Sequence, residues 1–254
     1  MVIARHMARR PPRMAHLGLG PGWSRSCIRI GRKSQRRTIA MTQRQPPGPL
    51  TLLLVDDHAV VRAGYRRLLE QASRCWQVTE ADSGESAYRA CARERFDVVV
   101  MDISLPGISG LETLARLQRR APEIRVLIFS MHEEPVFAEQ ALSGGAAGYI
   151  TKSSAPEVLV EAVQRIAAGG HYLGPDVRCR HGDADTAGLQ SLSAREFEIF
   201  RLLAEGCGSA EIARLLNISY KTVANYGSGI REKLALNNVA EMTRLAIRAG
   251  VIKA

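Results

Sequence analysis

No stretch of this 254-residue chain approaches the roughly 18 consecutive apolar residues of a membrane-spanning helix, so no membrane partner is expected. Cysteine is sparse: Cys27, Cys75, Cys91, Cys179 and Cys207 are odd in number and show neither CxxC nor Cys/His ligand spacing. That pattern argues against a disulfide framework or a zinc site, and for a reducing cytoplasm. Acidic residues are missing from the first forty positions, which hold ten of the 35 Lys and Arg; the remaining 25 are matched by 25 Asp and Glu. The formal net charge of +10 therefore belongs to one segment, and the rest of the chain is nearly neutral.

That segment has no sustained helical or strand periodicity and is too polar and Arg-rich for a secretory signal. Residues 1–48 are read as a disordered basic extension. An acid-free, Arg-rich start suits a tail that holds nucleic acid loosely, or an organellar transit peptide. Met41, followed by TQRQPPGP and then directly by the first strand, is the expected native start, with the upstream residues conceptually translated.

From residue 51 short apolar runs alternate with amphipathic stretches. TLLLV (51–55), QVTEA (77–81), DVVVM (97–101), RVLIF (125–129) and AGYIT (147–151) read as strands. Helical spacing appears over 60–72, 84–94, 109–120, 135–143 and 156–168. Strict alternation predicts an α/β fold, a five-stranded doubly wound parallel sheet covered on both faces, over residues 49–168. Residues 169–189 are rich in Gly and Asp and read as a linker. Over 190–254 no strand pattern returns, and helices are expected at 193–205, 209–216, 220–234 and 238–249, a second, all-α domain.

Ligands of an open α/β sheet bind beyond the carboxyl ends of its strands. Those ends carry Asp56-Asp57, Asp102, Ser130 and Thr151-Lys152. Clustered carboxylates want a hard divalent cation, and oxygen ligands with room for water suit Mg2+. With the cation in place a carboxylate can attack a phosphoryl group, while Lys152 offsets charge on the arriving oxygens and Ser130 hydrogen-bonds one of them. The chemistry implied is an aspartyl phosphate. Asp57 or Asp102 taken singly also suits a plain helix cap; all five groups at four strand ends do not.

VDDHAVVRAG, MDISLPGISG and GYITK, in this order and spacing, resemble the receiver domain of bacterial response regulators over residues 51–168. The resemblance implies that Asp102, with Pro106 and Gly110 in a D-x-x-x-P-x-x-x-G pattern, accepts phosphate from a sensor histidine kinase. It implies that Asp56, Asp57, Asp102 and the Ser104 backbone carbonyl hold Mg2+. Ser130 and Tyr149 match the family's switch pair, a hydroxyl that moves toward the phosphoryl group and an aromatic that rotates inward behind it. The expected readout face is the fourth helix, fifth strand and fifth helix. Pro156 follows Lys152 by four residues, where many receivers place a proline immediately.

Residues 190–252 resemble the LuxR-type helix-turn-helix, the output domain of NarL/FixJ-type regulators, through Ser193-x-x-Glu196, Glu205-Gly206, Glu211-Ile212-Ala213, Ile218-Ser219, Lys221-Thr222-Val223 and Glu232-Lys233-Leu234. Val223, Ile230 and Leu234 bury the second helix of the motif, leaving its other face for the major groove of double-stranded DNA. Ala224, Asn225 and Ser228 occupy positions where relatives reach base edges, and an Asn225 amide suits adenine. Lys221, Thr222 and Arg231 are placed for phosphates. Gly227 and Gly229 are expected mainly outside the buried side, where relatives carry basic or bulky residues, so the reading helix is expected to be weak.

The function this implies is a phosphorylation-dependent transcription regulator of a two-component system that pairs as a homodimer on DNA. No turnover of an external substrate is expected. The alternative is a receiver-containing signalling protein with weakened or lost DNA binding, acting through protein contacts. An aspartyl-phosphate phosphatase needs a general acid two residues after the nucleophile, where this chain has Ser104.

Overall fold

The computed structural model describes residues 49–177 and 188–253. The basic extension over 1–48, the Met41 start, Cys27, Cys179 and half of the expected linker lie outside the described residues.

The apolar runs become strands β1 (Leu50–Val55), β2 (Trp76–Ala81), β3 (Val98–Met101), β4 (Arg125–Ser130) and β5 (Gly148–Thr151). Helices α1 (Ala59–Ala72), α2 (Gly84–Arg93), α3 (Gly110–Arg120), α4 (Pro135–Ser143) and α5 (Pro156–Ala167) connect them. All pairings are parallel and the strand order is β2-β1-β3-β4-β5-β6. Alternate residues of each strand feed opposite cores, as the two-residue period of a strand demands. Leu53, Val55, Val99, Met101, Val126 and Ile128 join one cluster with α3 and α4. Leu52, Leu54, Val98, Val100, Leu127 and Phe129 join the other with α5.

The sheet has six strands where five were expected. The sixth, β6 (Tyr172–Leu173), pairs with Gly148 and Tyr149 of β5 inside the stretch read as linker. Two residues carry no readable periodicity. Their approach depends on Gly148, where a Cβ would crowd the Tyr172 carbonyl oxygen.

Serines and an asparagine start most of the remaining helices. Ser83 and Ser109 accept backbone N–H bonds at the starts of α2 and α3. In the second half Ser193 forms a capping box with Glu196 ahead of α6 (Ala194–Ala204). Next come α7 (Ser209–Leu215), α8 (Tyr220–Lys233), capped by Ser219, and α9 (Val239–Arg248), capped by Asn238. Asn217, at φ 51°, turns the chain between α7 and α8, a left-handed position that asparagine tolerates. α6 packs against α8 and α9 to form the helical core, and that core is continuous with the α3–α4 side of the sheet.

Candidate functional site: an acidic pocket and an exposed helix face

The strand ends converge as expected. β1 delivers Asp56, β3 delivers Asp102, β4 ends in Ser130, and Lys152 follows β5. Asp56 and Asp102 are only 2% and 4% exposed. The Lys152 Nζ stands 2.6 Å from Asp56 Oδ2 and 2.6 Å from Asp102 Oδ2, bridging the two carboxylates. Burial works against the Lys152 ammonium, but its bonds to Asp102 and Asp56 outweigh it and hold the pKa above the ordinary lysine value. Each carboxylate also accepts a backbone N–H two residues on: His58 to Asp56 Oδ1 at 2.8 Å and Ser104 to Asp102 Oδ1 at 3.2 Å. Gly110 lets α3 begin against Asp102, because a Cβ there would run into the Asp102 carbonyl oxygen.

Asp57 lies at the rim, and its Oδ1 meets His58 Nδ1 at 2.8 Å. Asp56, Asp57 and His58 offer ligand atoms within 4.8 Å of one another. Asp102 joins the pocket through Lys152. Three carboxylates against one ammonium leave a net negative charge, and their hard oxygens fit a divalent cation.

Ser130 is fully buried, and its Oγ accepts the His132 N–H at 3.3 Å. Tyr149 is already inside, with no exposed surface, and its hydroxyl donates to the His132 carbonyl at 2.7 Å. Burial pushes the Tyr149 phenol well above its usual pKa. His132 escaped the sequence reading; two positions past Ser130, it had no motif to mark it. Its ring lies flat on Phe137, with centroids 3.9 Å apart, and burial lowers its pKa, favouring the neutral imidazole.

Beyond His132 lies the helical half. A cavity of about 260 Å³ runs between Asp57, Ser104 and His132 on one side and Phe197, Glu198 and Arg201 of α6 on the other. Phe137 meets Phe197 edge-on at 5.5 Å and 88°. Gln140 donates to the Leu189 carbonyl, and Gln190 to Glu139 Oε2 at 3.0 Å. Six residues of α4, from Val136 to Ala141, are buried, so part of the expected readout face is covered by the chain itself. Burial also raises the pKa of Glu198 against the pull of Arg195, 3.0 Å away.

The second expected site is the outer face of α8. Lys221, Ala224, Asn225 and Ser228 are exposed there. Thr222 is half-buried, and both its N–H and its hydroxyl engage Ser219 Oγ, at 3.0 and 2.8 Å, so its first role is in the helix cap. Arg231 is half-buried too and donates to Ser228 Oγ at 3.3 Å. The expectation for Gly227 needs correction: it is buried with Val223 and Ile230, on the stripe that repeats at i, i+4 and i+7. A Cβ there would stand 3.6 Å from Leu203 Cδ1, an ordinary contact. Gly229 is half-exposed, and a Cβ there would meet nothing within 4 Å.

Two family models match. Residues 52–164 match the response regulator receiver domain, and residues 190–246 match the bacterial regulatory proteins of the luxR family. The chain is 43% identical over 209 residues to the transcriptional activator protein ExaE of Pseudomonas putida, covering 80% of this chain and 98% of that protein. It is 36% identical over 211 residues to the response regulator UvrY of Escherichia coli K12, covering 81% of this chain and 97% of UvrY. Among solved structures, RcsB of Salmonella enterica serovar Typhimurium, bound to promoter P1flhDC in the presence of phosphomimetic BeF3-, is 26% identical with a TM-score of 0.52, covering 81% of this chain and 100% of RcsB.

Proposed function

The chain belongs to the response regulators that join a receiver domain to a luxR-family regulatory domain, and from that premise we propose that it is a cytoplasmic transcription regulator switched by phosphorylation of Asp102. Domain limits of 49–168 and 190–254 suit this reading, with β6 extending the sheet to Leu173. The observation that carries it is the Lys152 ammonium held between two buried carboxylates, 2.6 Å from each.

A carboxylate oxygen of Asp102 attacks the phosphorus of a phosphohistidine on the partner kinase; the P–N bond breaks and the kinase imidazole keeps the electron pair. Lys152 pairs with the phosphoryl oxygens as they arrive, and Ser130, fully buried beside them, donates to one. Asp56, Asp57, Asp102 and the Ser104 carbonyl would hold Mg2+, which would supply charge neutralisation on the transferred group. The helical domains then pair on double-stranded DNA as a homodimer. Asn225 reads a base edge, with Ala224 and Ser228 beside it, while Lys221, Thr222 and Arg231 hold phosphates.

Asp102→Asn removes the nucleophile. Uptake of radiolabel from acetyl phosphate with Mg2+ should fall to background, and an unchanged level would overturn the assignment. A second reading, a live receiver with weakened DNA binding, is favoured by one observation: Gly229 leaves the flank of α8 bare. Failure of the phosphorylated chain to enrich any sequence from random duplexes would establish that reading instead.

A further inference from the structure

Both members of the switch pair hold the same residue. The His132 N–H donates to Ser130 Oγ at 3.3 Å, and the His132 carbonyl accepts from the Tyr149 hydroxyl at 2.7 Å. The imidazole between those tethers stacks on Phe137, 3.9 Å between centroids and 14° from parallel. Phe137 in turn stands edge-on to Phe197 of α6. The ring has two further contacts, Nε2 at 3.3 Å from Ser104 Oγ, on the loop that follows the phosphoacceptor, and Nδ1 at 3.9 Å from Glu134 Oε2.

The geometry points to His132 as the positioning residue that ties the chemical state of Asp102 to the docking of α6, a role that rests on Asp102 being the phosphoacceptor. The two tethers differ in how a phosphoryl group affects them. Tyr149 is already fully inside, so its bond to the His132 carbonyl is the fixed pivot. Ser130 is the contested one. A phosphoryl oxygen draws the hydroxyl toward Asp102 and away from the His132 N–H, whose bond at 3.3 Å is already long. Released on that side, His132 turns about the Tyr149 bond and its ring leaves Phe137. The Phe137–Phe197 edge contact loses its backing, and α6 loosens from the receiver.

Hydrogen exchange by mass spectrometry on the full chain tests this, with beryllofluoride and Mg2+ as the phosphoryl mimic. In wild type the mimic should protect residues 102–110 and raise exchange over Ala194–Ala204 about 3- to 10-fold, the worth of one aromatic stack. In His132→Ala exchange over Ala194–Ala204 should already be high and should not respond to the mimic, while protection of 102–110 persists. His132→Phe keeps a flat ring on Phe137 and should restore the wild-type response. The His132 side chain keeps 28% of its surface exposed, so its truncation spares the core. If 102–110 gains no protection in wild type, the phosphoacceptor assignment falls and this proposal with it. If 102–110 is protected but α6 responds equally in His132→Ala, this proposal alone falls.

Discussion

The pocket at the strand ends and the outer face of α8 hold their polar groups in opposite ways. In the pocket, Asp56 and Asp102 are buried, each bonded to a backbone N–H and both to Lys152. On α8, Lys221, Asn225 and Ser228 face water. A buried charge must be compensated by the fold itself, so the pocket is built before any ligand arrives. A solvated side chain needs no such compensation, and its order comes from whatever binds it. The receiver half therefore carries its chemistry in its own geometry, whereas the helical half carries a solvated surface whose order is left to a partner.

The sharpest way to break this contrast is Lys152→Ala. It leaves two buried carboxylates without their counter-charge and should lower unfolding stability by about 3 kcal/mol in urea without divalent cations. Added Mg2+ should recover part of the loss. Because the Lys152 pKa is raised, its contribution is intact below the unfolded value of 10.5 and is lost only as pH climbs through the higher folded value. A variant as stable as wild type at neutral pH would place the pocket in the same solvated class as the helix face.

Asn225→Ala sits at the other pole. It should leave stability alone and cost about 1–3 kcal/mol of discrimination at one base pair, read by selection from random duplexes with both proteins. A loss spread evenly over all sequences would make Asn225 a phosphate contact. The smallest effect is expected at Gly229. Alanine there should stabilise α8 by about 1 kcal/mol, since the added Cβ meets nothing. Arginine should steepen the salt dependence of DNA affinity by about 0.9 in log–log slope, one further phosphate. An unchanged slope would show that this flank stays clear of the backbone.

Most of the fold was legible because each element repeats its signal over several residues. Runs such as TLLLV and the spaced apolar residues of α3 fix strand and helix to within a residue or two. β6 was missed because two residues cannot display a period. The pocket was legible for a different reason: strand ends are where an open sheet binds ligands, so Asp56, Asp102, Ser130 and Lys152 could be placed from topology alone. Gly227 was misplaced although the rule was in hand. Val223 and Ile230 defined the buried stripe, and a glycine four residues after Val223 falls on it; having no side chain, it left no apolar mark there. His132 was invisible for a deeper reason. Its importance lies in what its backbone and ring touch at once, and contacts between Ser130, Tyr149 and Phe137 arise only when β4, β5 and α4 are assembled.

β6, short as it is, decides which strand ends the sheet. Without it β5 would be an outer strand, its amides and carbonyls open to the strands of another molecule. β5 carries Tyr149 and leads into Lys152, so a foreign strand added there would clamp the aromatic in place. With Tyr172 and Leu173 alongside, the strand at this edge is, among the described residues, two residues long, a short template for a growing sheet. A pair of residues that looks like linker thus covers the half of β5 that bears Tyr149.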